Sequence, residues 1–151
     1  ALLCRLAGEA GRVLALDIQE EAVAATRELL AREGIHNARV VRDSHAHLAD
    51  YAAPETVDAI VFNLGWLPGG DHDIRTTGAT TIPALEQSLG LLRPGGVLSL
   101  CVYCGGASGY GERDAVLAWL ETVDPARYTV LVSRFVNRTG DPPIPVFIWK
   151  D

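Results

Sequence analysis

Lysine is nearly absent from this chain. Twelve of its 13 basic residues are arginines, Lys150 is the single lysine, and against 19 acidic residues the formal net charge is −6. Nucleic-acid binders that rely on bulk electrostatics are usually basic. The balance excludes that class and by itself favours a small-molecule enzyme; any RNA partner must be held by a local patch or by the shape of a pocket. Long apolar runs are also missing. None approaches the ~18 residues of a membrane span, so no transmembrane helix is expected. Residues 1–6 carry an early arginine without a long apolar stretch or cleavage pattern, so no signal peptide is expected either.

Cysteine is sparse and odd in number: Cys4, Cys101 and Cys104. That usage suits a reducing cytoplasm. Cys101 and Cys104 have the spacing of a redox pair. They follow the apolar run 97–100, however, which places them at a strand end rather than at a thiol-activating helix N-terminus. No second pair completes a zinc site, and they read as structural or incidental thiols. His36, His45 and His47 have no helical i, i+4 partner and no cysteine partner, so no metal site is expected. Internal repeats and linker-like composition are absent as well.

What remains is one ordinary domain, 1–151. At 151 residues, 48% hydrophobic and 21% charged, it is long enough to bury a core. Short apolar runs alternate with helical periodicity. Strands are expected at 12–17, 38–42, 57–62, 97–103, 128–136 and 146–149. Helices are expected at 20–33, from a cap at Thr80 or Thr81 with Pro83 in the first turn, and at 112–123, with a helical turn at 44–51. Ile82, Leu85, Leu89 and Leu92 form the expected buried stripe of the middle helix, and the segment 92–96 is expected to stop it. This order implies an α/β fold, a mostly parallel sheet with helices on both faces and an antiparallel strand at the C-terminal end.

Ligands of open α/β sheets bind beyond the carboxyl ends of the strands. The residues at those ends are Asp17, Asp43, Asn63 and Tyr103. An acid at the place of Asp17 accepts hydrogen bonds from ribose hydroxyls, or caps the helix that starts at Glu20. Asp43-Ser44 can bond an adenine amino group, or cap a helical turn. Asn63 offers a carbonyl that holds a substrate N–H while leaving the nitrogen lone pair free, or else closes a strand-to-turn junction. Trp66 stacks on a base or covers the core edge. In the Gly-rich loop that follows, Asp71 and His72 form a proton-acceptor pair, or a solvated turn. A ribose acid normally lies about 20 residues after a Gly-rich loop. Counting back from Asp17 runs off the chain, and Gly8 and Gly11 look like the end of a helix. The first strand and its Gly-rich turn are therefore expected to be missing from an N-terminally truncated domain.

The segment Phe62-Asn63-Leu64-Gly65-Trp66-Leu67-Pro68-Gly69-Gly70-Asp71-His72 closely resembles the F-N-L-G-[YW]-L-P-G-G-D-H segment of the YtqB-like family of class I S-adenosylmethionine-dependent methyltransferases. Asp17-Ile18-Gln19, Thr80-Thr81-Ile82, Asn137-Arg138 and Pro142-Pro143 add to the resemblance, which covers essentially the whole chain. It implies a Rossmann-like class I methyltransferase fold with S-adenosylmethionine as methyl donor. It also implies MnmM-type chemistry, in which a methyl is placed on the 5-aminomethyl group of the wobble (2-thio)uridine in the tRNA anticodon loop. Members were long described as rRNA methylases.

Carried over residue by residue, the resemblance places Asp17, Ile18, Gln19, Asp43, Ser44, His45, Asn63, Leu64 and Gly65 at the donor. Trp66, Pro68, Gly69, Gly70, Tyr103 and Asn137 fall on the substrate side. Asn63 orients the amine, and Asp71 or His72 takes its proton. Cys104 departs from the pattern, standing where a proline is expected. Arg75, Arg134 and Arg138 are candidate phosphate contacts, and a homodimer is compatible with the family. The competing readings are methyl transfer to rRNA or a small molecule, a nicotinamide dehydrogenase, and a non-catalytic binding module.

Overall fold

A computed structural model describes residues 1–63, 78–103 and 106–151. The chain divides into two compact units, 1–47 and 48–151.

In the first unit, helix α1 (Leu2–Ala7) leads to strand β1 (Val13–Asp17), helix α2 (Glu20–Arg32) and strand β2 (Ala38–Arg42). The strands pair in parallel, Val13 opposite Ala38 through to Asp17 opposite Arg42. As expected from its position, Gly8 caps α1, with φ of 71°. Asn37 donates its amide to Cys4 O and Gly8 O, at 2.8 and 2.9 Å. These carbonyls belong to a helix C-terminus that has no further turn to satisfy them. Cys4, Val23 and Leu30 are the buried apolar residues here.

The second unit opens within a short 3₁₀ segment (His45–Asp50) that begins in the first. Strand β3 (Val57–Asn63), helix α3 (Gly78–Leu91), strand β4 (Leu92–Val102), helix α4 (Gly106–Leu120), and strands β5 (Tyr128–Val132) and β6 (Ile144–Lys150) follow. The sheet order is β3-β4-β6-β5. β3 and β4 are parallel, and β6 is antiparallel to both β4 and β5. β6 therefore inserts between β4 and β5, and the antiparallel strand expected at the C-terminal end is internal to the sheet. Leu98, Leu100, Val102, Val146 and Ile148 from the sheet pack with Leu85 and Leu89 of α3 and Val116 and Leu120 of α4.

Several boundaries differ from the sequence reading. Helix α3 starts at Gly78, so Thr80 and Thr81 lie inside it and neither is a cap. Thr81 is fully buried and donates its hydroxyl to Glu112 Oε1 at 2.6 Å. The buried stripe of α3 accordingly runs through Thr81, Ala84, Leu85, Ser88 and Leu89; Ile82 is half-buried and Leu92 belongs to β4. Residues 92–96 do end the helix, but Leu92 already pairs with β3. Leu92 faces Val57, and the register then jumps so that Ala59 faces Val97. Gly95 takes a φ of 75°, a conformation that costs glycine little. A Cβ on Gly96 would sit 2.8 Å from Arg93 O and 3.1 Å from Val57 O, so the bulge needs a glycine there. Helix α4 begins at Gly106 rather than Glu112, and β5 stops at Val132 rather than residue 136.

Lys150, the single lysine, is 5% exposed. Its ammonium donates to Glu55 Oε1 at 2.8 Å and to Leu92 O at 2.9 Å. A buried charge is tolerated only when paired and hydrogen-bonded, and this one is both.

Candidate functional site

In the first unit the polar groups gather at the carboxyl ends of β1 and β2. Asp43 N–H donates to Asp17 O at 3.0 Å, which extends the parallel ladder by one rung and sets the two acids side by side. Asp17 Oδ1 accepts the Gln19 N–H at 2.8 Å. The side chain thus closes the turn into α2, whose N-cap, Gln19, makes no side-chain cap of its own. The carboxylate is exposed, and its second oxygen remains available to a ligand. Ile18 is 47% exposed beside it. Arg42 clasps this turn from the neighbouring strand, donating Nε to Ile18 O at 3.2 Å and Nη1 to Glu20 Oε2 at 2.8 Å.

Asp43 is organised differently. Its Oδ1 accepts the Ser44 N–H at 2.7 Å and lies 2.7 Å from His47 Nδ1. Ser44 Oγ accepts the Ala46 N–H at 3.1 Å, and His45 opens the 3₁₀ segment. His47 thus has a partner four residues back, which corrects the expectation that it had none. Sequence reasoning missed both Arg42 and His47. The signal for Arg42 was a basic residue beside a strand-end acid; that for His47 was its i, i+4 distance from Asp43.

In the second unit Asn63 ends β3, aligned with Cys101 of β4. Tyr103 stands two residues beyond Cys101 and is 43% exposed. Its pKa is raised above the ordinary tyrosine value, first by the electrostatic influence of the neighbouring Cys101 and then by burial, while the nearby Asn63 amide opposes the rise. Tyr103 is therefore neutral at physiological pH. Cys101 is a free thiol at this strand end.

Asn137 lies exposed in the loop between β5 and β6. β5 runs in the direction of β3 and β4, so this loop emerges at the same sheet edge as Asn63 and Tyr103. Pro145 of β6 pairs opposite Cys101, and Ser133 N–H donates to Pro145 O at 2.8 Å. The loop is tied to α4 by Tyr110 Oη, which donates to Asp141 Oδ2 at 2.6 Å. Arg134 and Arg138 are exposed on it. Leu64, Gly65, Trp66, Pro68, Gly69, Gly70, Asp71, His72, Arg75 and Cys104 lie outside the described residues. Among the described residues, no cluster of histidine, cysteine and acidic side chains could hold a metal ion, and no helix is long and apolar enough to cross a membrane.

Comparison with known proteins finds relatives that match most of this chain. The model of the family described as "Putative rRNA methylase" matches residues 13–149. A tRNA (mnm(5)s(2)U34)-methyltransferase, chloroplastic, of Arabidopsis thaliana is 34% identical over 149 residues. The match covers 95% of this chain and 54% of that protein, so the chain spans about half the length of that relative. Among solved structures, a "putative rRNA-methylase" from Clostridium thermocellum superposes with a TM-score of 0.94 at 39% identity, over 99% of this chain and 80% of that one. A "putative methyltransferase" from Streptococcus mutans in complex with SAH superposes with a TM-score of 0.84 at 37% identity, over 92% and 76%.

Proposed function

We propose a reaction for this chain from one established premise: it belongs to the rRNA methylase family. The reaction is S-adenosylmethionine-dependent methyl transfer, with the 5-aminomethyl group of a wobble uridine or 2-thiouridine in tRNA as acceptor. The observation that carries it is that polar groups stand at strand carboxyl ends within each unit, Asp17 and Asp43 in one and Asn63 and Tyr103 in the other.

The residues of the first unit fit the donor. Asp17 spends one oxygen on its own turn and keeps the other for a ribose diol, while Ile18 and Gln19 flank it. Asp43, Ser44 and His45 are assigned to the adenine. When bound, S-adenosylmethionine supplies an electrophilic methyl group, so the protein's contribution is alignment more than activation. Leu64 and Gly65 are assigned beside the donor on the strength of the motif they belong to.

The acceptor amine must be neutral to attack. Asn63 is assigned to accept one of its N–H groups, directing the lone pair away from the protein. A dry pocket lowers an amine pKa, and Asp71 or His72 takes the proton released. A wobble base leaves the anticodon stack to react, as in most single-stranded RNA recognition. Trp66 or Tyr103 is assigned as its stacking platform, with Pro68, Gly69, Gly70 and Asn137 on the same side. Arg134 and Arg138 offer the local phosphate contacts that a net charge of −6 does not. The Arabidopsis relative's named activity supports this acceptor. A reducing compartment that holds tRNA, the cytoplasm, is the setting we assign.

The test is incubation of the purified protein with labelled S-adenosylmethionine and tRNA carrying 5-aminomethyl-2-thiouridine at the wobble position. Digestion and mass spectrometry of the nucleosides then identify the product. A new methylaminomethyl nucleoside is expected. Methyl incorporation into rRNA alone, the acceptor in the family's own description, would replace the tRNA reading while keeping the chemistry.

A further inference from the structure

A peptide group is planar, so its C=O and its N–H turn together. The group that joins Ile18 to Gln19 is held at both ends. Its N–H, on Gln19, donates to Asp17 Oδ1 at 2.8 Å. Its oxygen, on Ile18, accepts Arg42 Nε at 3.2 Å. In a trans peptide the two groups point in opposite directions. A flip of this one plane would break both bonds at once and aim a carbonyl oxygen at the Asp17 carboxylate.

The register of the sheet places Arg42 for this. It is the partner of Asp17 across β1 and β2. Its neighbour Asp43 holds the Asp17 carbonyl through its own N–H at 3.0 Å. Two consecutive carbonyls of the turn, those of Asp17 and Ile18, are thus held by two consecutive residues at the end of β2. Gln19 O accepts the Val23 N–H at 3.1 Å and starts the ladder of α2. The guanidinium is fixed at a second point, because Nη1 donates to Glu20 Oε2 at 2.8 Å. A guanidinium is a rigid planar fork, so anchoring Nη1 also aims Nε. As an ion pair alone, Arg42 and Glu20 would contribute little: their side chains are 58% and 73% exposed, and exposed pairs add little to stability. The carbonyl bond gives the arginine a different use.

We propose that Arg42, braced by Glu20, is a positioning residue. It locks the Ile18–Gln19 peptide, so that the Gln19 N–H holds the Asp17 carboxylate in the one orientation that receives the ribose diol of the methyl donor. This rests on the methyl-transfer reading above and adds how the diol site is set before the donor arrives. A site set in advance avoids the ordering cost that binding otherwise carries. Arg42 acts through Asp17 and makes no contact of its own with the diol.

The test compares wild type with Arg42→Gln and Arg42→Lys by two readouts. The first is calorimetric titration with S-adenosylhomocysteine and with its 2′,3′-dideoxyribose analogue. Arg42→Gln is expected to weaken S-adenosylhomocysteine about two- to tenfold, the factor for one hydrogen bond, and to leave the dideoxy analogue unchanged. A general loosening of the unit would weaken both ligands, and equal losses would overturn the proposal. In the Asp17→Ala background Arg42→Gln is expected to have no further effect, because the group it positions is gone; a full second loss would overturn the proposal too. Lysine keeps the charge without the fork, so Arg42→Lys is expected to behave like Arg42→Gln. Wild-type affinity in Arg42→Lys would show that charge alone matters and would overturn the lock. The second readout needs no ligand: NMR hydrogen exchange of the Gln19 amide. Arg42→Gln is expected to speed that exchange about two- to tenfold, as for local opening eased by one lost bond. Unchanged exchange would remove the lock, whatever the protein binds. Faster exchange in a protein whose wild type does not bind S-adenosylhomocysteine would instead overturn the donor reading and leave the lock on the turn standing.

Discussion

Asp17 carries two loads at once, and two substitutions separate them. Its Oδ1 closes the turn into α2 through the Gln19 N–H, and its exposed second oxygen is assigned to the ribose diol. Asp17→Asn keeps an oxygen for the turn but puts an –NH₂ where the diol donates. Charge-assisted hydrogen bonds contribute about 1.5–3 kcal/mol each. The carboxylate is exposed, so the lower figure applies, and two hydroxyls sum to about 3 kcal/mol, roughly a hundredfold in Kd. The fold should be indifferent, with Tm within about 1 °C of wild type, because a surface change that keeps its hydrogen bond moves stability little. Asp17→Ala removes the turn bond as well. That adds about 1 kcal/mol of destabilisation, as for loss of a helix-capping residue, or about 2–4 °C in Tm for a chain of this size. The assay is calorimetric titration with S-adenosylhomocysteine, which binds without reacting, alongside thermal unfolding of both variants. An Asp17→Asn protein that binds within threefold of wild type would refute the ribose contact. One that loses affinity only in proportion to lost stability would refute it too.

Asn63→Ala is expected to reduce turnover more than tenfold while donor affinity stays within twofold; equal loss of both would remove Asn63 from the acceptor side. Tyr128 is buried, and its hydroxyl donates to Leu89 O at 3.0 Å in the last turn of α3. Tyr128→Phe leaves that carbonyl without its partner and should cost about 1–2 kcal/mol, a fall of about 4 °C in Tm; an unchanged melt would show that the bond contributes nothing. The Glu55 carboxyl is held below its ordinary value of 4.5 by the Lys150 hydrogen bond and then by the Lys150 charge. A folded pKa below the unfolded one gives stability that is present above pH 4.5 and lost as pH falls through the lower folded value. Glu55→Gln should therefore flatten the acid limb of urea midpoints measured between about pH 3 and 6, and an identical limb in both proteins would exclude the pair as its source.

The alternation of apolar runs and helical periods was legible in residue order, because burial of one face imposes a period that survives in the sequence. So were the strand ends. Asp17, Asp43, Asn63 and Tyr103 follow directly on their apolar runs, and a strand's carboxyl end is a local property. Helix starts were less so. Thr80 and Thr81 have the chemistry of caps, yet Thr81 is buried mid-helix because Glu112, 31 residues away, accepts its hydroxyl. The Arg93-Pro94-Gly95-Gly96 run reads as a stop signal, and it is one. That it also bulges against β3 depends on the approach of Val57 and Asp58, which no window of neighbours contains.

Lys150 states the division most plainly. As the chain's single lysine it carries no local signal of burial, and its partner Glu55 lies 95 residues earlier. The insertion of β6 between β4 and β5 brings its ammonium to the Leu92 carbonyl. The same strand order sets Cys101 opposite Pro145 and beside Asn63. Residue order by itself determined the elements, the strand-end chemistry and the family resemblance, because these depend on periodicity and on contiguous motifs. Only the tertiary structure decided which distant groups share a hydrogen bond, because strand order and register bring together residues that the chain keeps far apart.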